Sequence, residues 1–477
     1  MKKTMLTIAL SGAALMLCQT ALASNEYHQE IEGPFDDPMQ VTQTCLECHE
    51  DASMEVMQTT HWTWETEQEV DGKGTQMLGK KNAINNFCIS VESNWPRCTS
   101  CHVGYGWEDA NFDFKDESRV DCLVCHDTTG TYTKPSAGAG LPAGYTGIAK
   151  FDEKKLDLVK IAQSAGKPER ANCVVCHGFG GGGDNVKHGD IDSTIANPTM
   201  DIDFHMGTDS LDFSCQECHT TEAHSIKGNA MVVSPGGTNH VSCTDCHDPE
   251  PHAKKSLNKH AAAIACQTCH IPTYAKGEPT KMDWDWSTAG QDIHLPDDEY
   301  GLHTYVKKKG TFVWKKDVQP EYAWYNGKGG AYLRGEKMDP STVTKINYPV
   351  GSKDDMTAKI YPFKVHRGKQ IYDKKYEYFL TPKVWPAGTD KDAGYWKSFD
   401  WDAAVKAGVK DTGLKYSGDY DFAATEMYWR LNHMVAPASE ALQCRDCHGK
   451  KGRLDWNALG YEGDPMKVRG AARASKK

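Results

Sequence analysis

The chain has 477 residues, with 54 Lys and Arg against 65 Asp and Glu, for a formal net charge of −11. That balance argues against nucleic acid or an anionic lipid surface as partner, although a local cationic funnel for a small anion can coexist with it. Hydrophobic residues make up only 39%, while Gly, Trp and Tyr number 43, 13 and 20, so aliphatic side chains alone do not supply the interior that this length would need.

Along the chain, the basic start MKK is followed by an apolar run, Met5 to Cys18, and then by Ala21-Leu22-Ala23. This is the pattern of a cleaved secretory signal over residues 1–23, too short to span a bilayer. Cys18 follows Met16-Leu17 rather than small residues, which argues against a lipoprotein anchor. No other stretch approaches ~18 apolar residues, so an exported, periplasmic protein without a membrane span is expected.

Residues 24–275 hold most of the cysteines. Eighteen cysteines in an exported chain first suggest disulfides, but their arrangement rejects that. Sixteen form eight C-x-x-C-H units: Cys45-Cys48-His49, Cys98-Cys101-His102, Cys122-Cys125-His126, Cys173-Cys176-His177, Cys215-Cys218-His219, Cys243-Cys246-His247, Cys266-Cys269-His270 and Cys444-Cys447-His448. Two thiols three positions apart on one helical turn reach the two vinyl groups of a haem, and the following His supplies an axial ligand to its iron. Zinc sites also use paired C-x-x-C units but need no His after every second Cys, and a thioredoxin-like redox site needs only one such pair. Eight covalently bound haem c groups are expected, each a large apolar plate standing in for several core side chains.

The fold class that follows is mainly α with long loops, a multihaem cytochrome c fold wrapped around its haems. Region 24–275 should be short helices carrying haems 1–7. FDEKKLDLVKIAQSA (151–165) reads as one of them, closed by Gly166 and Pro168, and TKPSAGAGLPAGYTG (133–147) as a loop. Region 276–420 lacks a haem motif and alternates aromatic residues with turn signals, as in HTYVKKKGTFVW and EYAWYNGKGGAYLRG. A small β-hairpin-rich segment is expected there, between haems 7 and 8, with hairpins at Asn326-Gly327 and Gly329-Gly330, covering haems or walling a substrate channel. Region 421–477 should return to helix near Asp421, carry haem 8 and end in the basic tail MKVRGAARASKK.

Outside the motifs stand twelve histidines, among which eight sixth ligands would be found if every iron is six-coordinate. His61, His205, His224, His252, His260 and His433 lie beside or between motifs and are the expected ligands, with His188 a further candidate. His28, near the mature N-terminus, is expected to stand apart. Two strong axial ligands make a haem that passes electrons only, so chemistry needs one haem with an unusual or exchangeable ligand. CVVCHGFGGGGDNVKHGD (173–190) points to where. Four glycines, Gly180 to Gly183, let backbone approach a haem face, and Lys187 follows them, with Asp184, His188 and Asp190 around it. A lysine carried there and desolvated can bind iron as a neutral amine; the other reading is a surface lysine on a flexible loop.

At these residues the chain resembles the octahaem tetrathionate reductase family. The eight motif spacings carry the resemblance, with GGGGDNVKHGD, HMGTDSLDFSCQECH, LNKHAAAIACQTCHIP, MDWDWS and NHMVAPASEALQCRDCH. The resemblance implies a soluble periplasmic reductase in which the second haem, held by Cys98, Cys101 and His102, takes Lys187 as an axial ligand. The related pentahaem nitrite reductases place the lysine inside a C-x-x-C-K motif; here all eight motifs end in His, so the lysine must come from elsewhere in the chain. In such families one site reduces tetrathionate, nitrite and hydroxylamine. Expected partners are that small substrate and a quinol-linked or periplasmic cytochrome donor. Cys88 has no cysteine partner left in the mature chain and is open to two readings: an inert buried thiol, or a thiol lining the active cavity able to exchange with an S–S substrate. Lys187, His102, Cys88, Asp184 and His188 are the catalytic candidates. The competing class is an electron carrier with eight bis-His haems and no substrate.

Overall fold

The computed structural model describes residues 26–228 and 240–468, so the expected signal segment and all but the first three residues of the basic tail lie outside it. The chain divides into two compact units: one holds residues up to Trp62 together with Pro96–Cys173, the other Thr63–Trp95 together with Val174 onward.

The first unit is made of short helices and loops. Asp37 caps helix Pro38–Leu46 by accepting from Met39 N at 2.8 Å, and Gln40 reaches back to the Asp37 backbone, a reciprocal box with proline in the first turn. The helix expected over 151–165 is confined to Leu158–Gln163. Asp157 sets its start by accepting from Lys160 N at 3.0 Å, while the Asp152 carboxylate accepts from Thr146 N and Oγ1, which holds the preceding residues in a loop. Val41, Leu123, Leu158, Ile161 and Ala162 form a small apolar core.

The second unit is organised on strands. They are β1 (Thr66–Val70), β2 (Gly74–Leu78), the short hairpin β3 (Thr221–Glu222) and β4 (Ser225–Ile226), then β5 (Thr280–Asp285), β6 (Tyr305–Val306), β7 (Gly310–Lys315) and β8 (Glu321–Tyr325). β9 (Gly329–Ala331), β10 (Thr344–Pro349), β11 (Lys359–Asp373), β12 (Tyr378–Phe379) and β13 (Tyr420–Arg430) follow. All but β3 and β4 join one mixed sheet of eleven strands, in the order β2-β1-β9-β10-β13-β11-β5-β7-β6, with β8 and β12 also on β11. The β-rich segment expected between the seventh and eighth motifs is present, and its sheet reaches further, drawing in strands from before the second motif and just before the eighth.

Three local expectations are corrected. Residues 420–430 are a strand, not the start of a helix: β13 alternates half-buried and buried positions and runs antiparallel to β11 over eleven residue pairs, Phe363 with Arg430 through Asp373 with Tyr420. Asn326-Gly327 turns the chain without making a hairpin, because β8 pairs with β11 while β9 pairs with β10 and β1. Gly329-Gly330 lies inside β9. The HTYVKKKGTFVW stretch does fold back on itself, β6 on β7.

β11 is the central strand and is buried on both faces from Pro362 to His366. Phe363 and Val365 point into an apolar cluster with Val70, Leu78 and Tyr325. By the two-residue period Lys364 and His366 face the opposite side.

Candidate functional site

Motif cysteines sit on short helical segments. Leu123–His126, Arg170–His177, Cys266–His270 and Cys444–Cys447 are short α-helices, and Cys215–Glu217 and Cys243–Asp245 are 3-10 turns. All sixteen are free of disulfides, as haem attachment requires.

The histidines supply the fit test for haem. Two metal–imidazole bonds of about 2 Å, plus the half-widths of two rings, separate the centroids of a bis-His pair by about 6 Å. In the first unit the rings of His28 and His49 are 6.2 Å apart. In the second, His219–His433, His252–His270 and His260–His448 are each at 6.2 Å and His205–His247 at 6.1 Å. Each pair joins a motif histidine to one from elsewhere, with the space of an iron between them. His205, His252, His260 and His433 thus stand where ligands are expected from the motif spacing. His28 is a correction: it is ring-paired with His49 rather than standing apart.

In several of these histidines the other ring nitrogen is held by protein, which orients the imidazole. Nδ1 of His28 lies 3.1 Å from the Ala165 carbonyl, that of His126 2.8 Å from Gly166, that of His219 2.7 Å from Lys227 and that of His260 2.8 Å from Ser256. His448 Nδ1 is 2.7 Å from Asp464 and His433 Nδ1 3.3 Å from Asp190, whose Oδ2 also accepts from the backbone N–H groups of Asn432 and His433. His61 lies half-buried in the turn Thr60–Thr63. His224 occupies the tight turn between β3 and β4 with φ +58, next to Ala223 at +46, the two left-handed positions of a two-residue hairpin loop.

His102 breaks the pattern. It is fully buried among Trp62, Trp107, Phe112 and Phe114, and its Nε2, the nitrogen that should face an iron, donates to the Trp62 carbonyl at 2.7 Å. A cage of rings on four sides fixes that orientation. The structure thus departs from the expectation for His102: the nitrogen expected to face the second haem is given to backbone.

The glycine run and Lys187 lie in the second unit. The Lys187 side chain crosses Gly180 so closely that a Cβ there would meet its Cδ at 2.9 Å, and Gly181, at φ +78, packs on the Phe87 ring. Lys187 Nζ stands 4.9 Å over the Trp429 ring, and the His188 ring meets the same indole at 5.2 Å, edge to face. Burial first, then the charges of Lys187 and His177, pull the His188 imidazole well below its ordinary range. From β11, Lys364 donates to the carbonyls of Val186 and Lys187 at 2.8 and 3.1 Å and to Thr280 Oγ1 at 2.6 Å, and so ties the loop to the sheet. Asp184 accepts from both the backbone and the hydroxyl of Ser193, which makes it a brace of the loop.

A family model described as "Cytochrome c bacterial" matches residues 281–451. The chain also matches the crystal structure of octaheme cytochrome c from Shewanella oneidensis, with 56% sequence identity and a TM-score of 0.87 over 94% of this chain and 99% of that one. The chain belongs to the octahaem cytochrome c family. The resemblance drawn from the motifs is thereby borne out, and this octahaem cytochrome carries covalently bound haem c. An uncharacterized protein of Archaeoglobus fulgidus is 26% identical over 234 residues, which cover 40% of this chain and 76% of that one. No helix among the described residues is long and apolar enough to cross a membrane.

Several cations of the second unit are paired with carboxylates. Arg367 forms a two-pronged pair with Glu321 at 2.7 and 2.9 Å, Lys369 pairs with Asp285 at 3.0 Å, and Lys307 with Asp292 at 2.5 Å. Cys88, half-buried beside Phe87, packs against the large apolar cluster that includes Trp284 and Trp286. Two residues of its surroundings, Lys281 and His366, were not singled out from sequence. Lys281 directly precedes the MDWDWS string, which was the one available signal.

Proposed function

We propose that the protein is an exported, periplasmic multihaem c-type cytochrome reductase carrying eight haems. It reduces tetrathionate, with nitrite and hydroxylamine as further substrates, at a haem ligated by Lys187. The observation that carries this reading is the contrast among the motif histidines. His49, His219, His247, His270 and His448 each face a second histidine at bis-His spacing, whereas His102 gives its axial nitrogen to a carbonyl. A carrier of eight six-coordinate haems has no use for a motif histidine turned away.

Haem supplies one-electron chemistry and, where protein does not fill both axial positions, a place for a substrate atom. The paired histidines hold the relay. Lys187 would supply the ligand that His102 does not; the resemblance assigns it to the haem of Cys98 and Cys101, and the braces from Lys364 and Asp184 suit a loop whose lysine must be held in place. Cationic groups near the reacting anion would attract it and stabilise developing charge. Tetrathionate takes two electrons and gives two thiosulfates, which a multihaem store readily provides. The donor is a quinol-linked or periplasmic cytochrome.

The test is kcat/KM for tetrathionate, nitrite and hydroxylamine with one artificial donor, beside the ferric spectrum of the isolated protein. Turnover of at least one substrate and one haem signal that responds to added ligand are expected. Purely low-spin bis-His signals, indifferent to ligand and without turnover, would establish the carrier instead.

A further inference from the structure

The four facing histidine pairs of the second unit differ in what stands behind their rings, on the side away from the facing imidazole. A backbone carbonyl lies at Nδ1 of His219 (Lys227, 2.7 Å) and of His260 (Ser256, 2.8 Å), and Asn258 Oδ1 lies 3.1 Å from Nδ1 of His252. These acceptors are neutral. Carboxylates stand behind three other rings, at graded distances. His448 Nδ1 is 2.7 Å from Asp464 Oδ1, His433 Nδ1 is 3.3 Å from Asp190 Oδ2, and His205 Nδ1 is 4.0 Å from Asp203 Oδ1, beyond hydrogen-bonding reach.

The two longer contacts are also shared with backbone. Asp190 Oδ2 accepts from the N–H groups of Asn432 and His433 at 2.7 and 3.0 Å, and Asp203 Oδ1 from those of His205 and Met206 at 2.9 and 3.1 Å. Asp464 Oδ1 accepts from Met466 N at 3.0 Å besides the imidazole, and Lys467, 57% exposed, reaches Oδ2 at 3.4 Å. The Asp464 side chain is only 9% exposed, so water screens its charge little. Trp456 stacks on the His448 ring at 5.2 Å and 16° and fixes its plane.

An imidazole whose N–H is drawn to a carboxylate is a more basic ligand than one bonded to a carbonyl, and a more basic ligand favours the ferric over the ferrous state. Charge-assisted bonds of this kind are roughly twice as strong as neutral ones. The backbone shows which motif is the neighbour. Leu442 N, just before the eighth motif, donates to Cys269 O of the seventh at 2.9 Å, and the histidine facing the seventh motif's His270 is His252, with the neutral Asn258 behind it.

We propose that Asp464 is a positioning residue that sets the haem of Cys444 and Cys447 at low potential, by accepting the Nδ1–H of His448 in a charge-assisted hydrogen bond. Asp464 thereby biases an electron on the eighth motif toward the seventh. One electron passes, leaving ferric iron at the former and ferrous at the latter, with no proton or covalent bond exchanged. The inference rests on haem attachment at the eighth motif, and on neither Lys187 nor any substrate.

The experiment is potentiometry of the holoprotein read by electron paramagnetic resonance, in which each low-spin ferric signal vanishes at its own potential. Each variant is first required to match the wild type in haem mass and Soret spectrum. Asp464→Asn keeps an oxygen for Nδ1 and removes the charge. It should move one signal, the one that His260→Ala converts to high spin, toward easier reduction. The expected shift is about tenfold in the ferric-to-ferrous ratio, or about 59 mV for one electron. Asp464→Ser, a smaller uncharged side chain, should move the same signal the same way, while Asp464→Glu returns it most of the way. Asp203→Asn, whose carboxylate already lies beyond reach, should leave that signal in place. The signal unmoved in both Asp464→Asn and Asp464→Ser, or moved equally by Asp464→Glu, overturns the proposal. A wild type without haem at the eighth motif overturns it together with the eight-haem reading. A wild type that shows the Asp464 shift yet reduces no substrate refutes the reductase and leaves this assignment standing.

Discussion

A histidine in this protein is defined by which nitrogen the chain has already used. Where Nδ1 is given to a carbonyl or carboxylate, as in His28, His219, His260 and His448, the ring is left with Nε2 facing another imidazole at about 6 Å. Where Nε2 is used, as in His102, it is not available to a metal. Sequence could count histidines but not see this, because the choice depends on carbonyls such as Ala165 and Trp62, remote in the chain or invisible as side chains. His28 shows the consequence: proximity to the N-terminus said bystander, and the fold brings it to His49. His28→Ala should therefore convert one low-spin ferric haem to a high-spin or ligand-responsive one with the others intact, read by electron paramagnetic resonance; an unaltered spectrum would remove His28 from the ligand set. A second residue-scale expectation concerns acid. Burial, then Lys364 and Lys281, hold the His366 imidazole well below its ordinary 6.5. The unfolded chain then takes up a proton near pH 6.5 that the folded chain refuses, so this group's contribution is complete above that value and is lost as pH falls towards the folded one. His366→Gln should flatten the acid limb of stability by up to about 1.4 kcal/mol per pH unit below 6.5, measured by thermal unfolding in anion-free buffer. Parallel acid limbs would show that His366 is protonated in the fold.

Between elements, legibility followed period. The apolar and aromatic alternation of 305–315 announced β6 and β7, and the capping residues Asp37 and Asp157 set helix starts as their chemistry dictates. DFAATEMYWR reads as helix from its nearness to the eighth motif, although its inward residues Ala423, Thr425, Met427 and Trp429 recur every second position. What makes it a strand is β11, fifteen residues long and available only in three dimensions. β11 also explains how one strand serves stability and chemistry together: Phe363 and Val365 face an apolar cluster while Lys364 and His366 face the loop of Lys187 and the surroundings of Cys88. Phe363 is fully buried against Tyr325, Tyr361 and Tyr428. Phe363→Ala should cost about 3–5 kcal/mol and lower the Tm of the holoprotein markedly; a Tm within experimental error of wild type would show that the haems, rather than this sheet, hold the second unit together.

At the scale of the molecule, eight C-x-x-C-H units in one chain decide the class by themselves, because no other cofactor asks for two thiols and an imidazole at that spacing eight times. Composition added that haem must replace aliphatic core, and the small apolar clusters of the first unit agree. The expected divisions at 275 and 420 do not bound the sheet, since strands from 66–78 and 420–430 share it with those of 280–373. A haem-free stretch in sequence need not be a separate body in space. The central claim is that Lys187 ligates the catalytic iron, and Lys187→Gln tests it most directly. The variant should keep all eight haems by intact mass, reduce fully with dithionite, change the ligand signature of one haem, and lose kcat/KM by orders of magnitude. Near-normal kcat/KM with an unaltered spectrum would make Lys187 an ordinary loop lysine and place the active iron elsewhere.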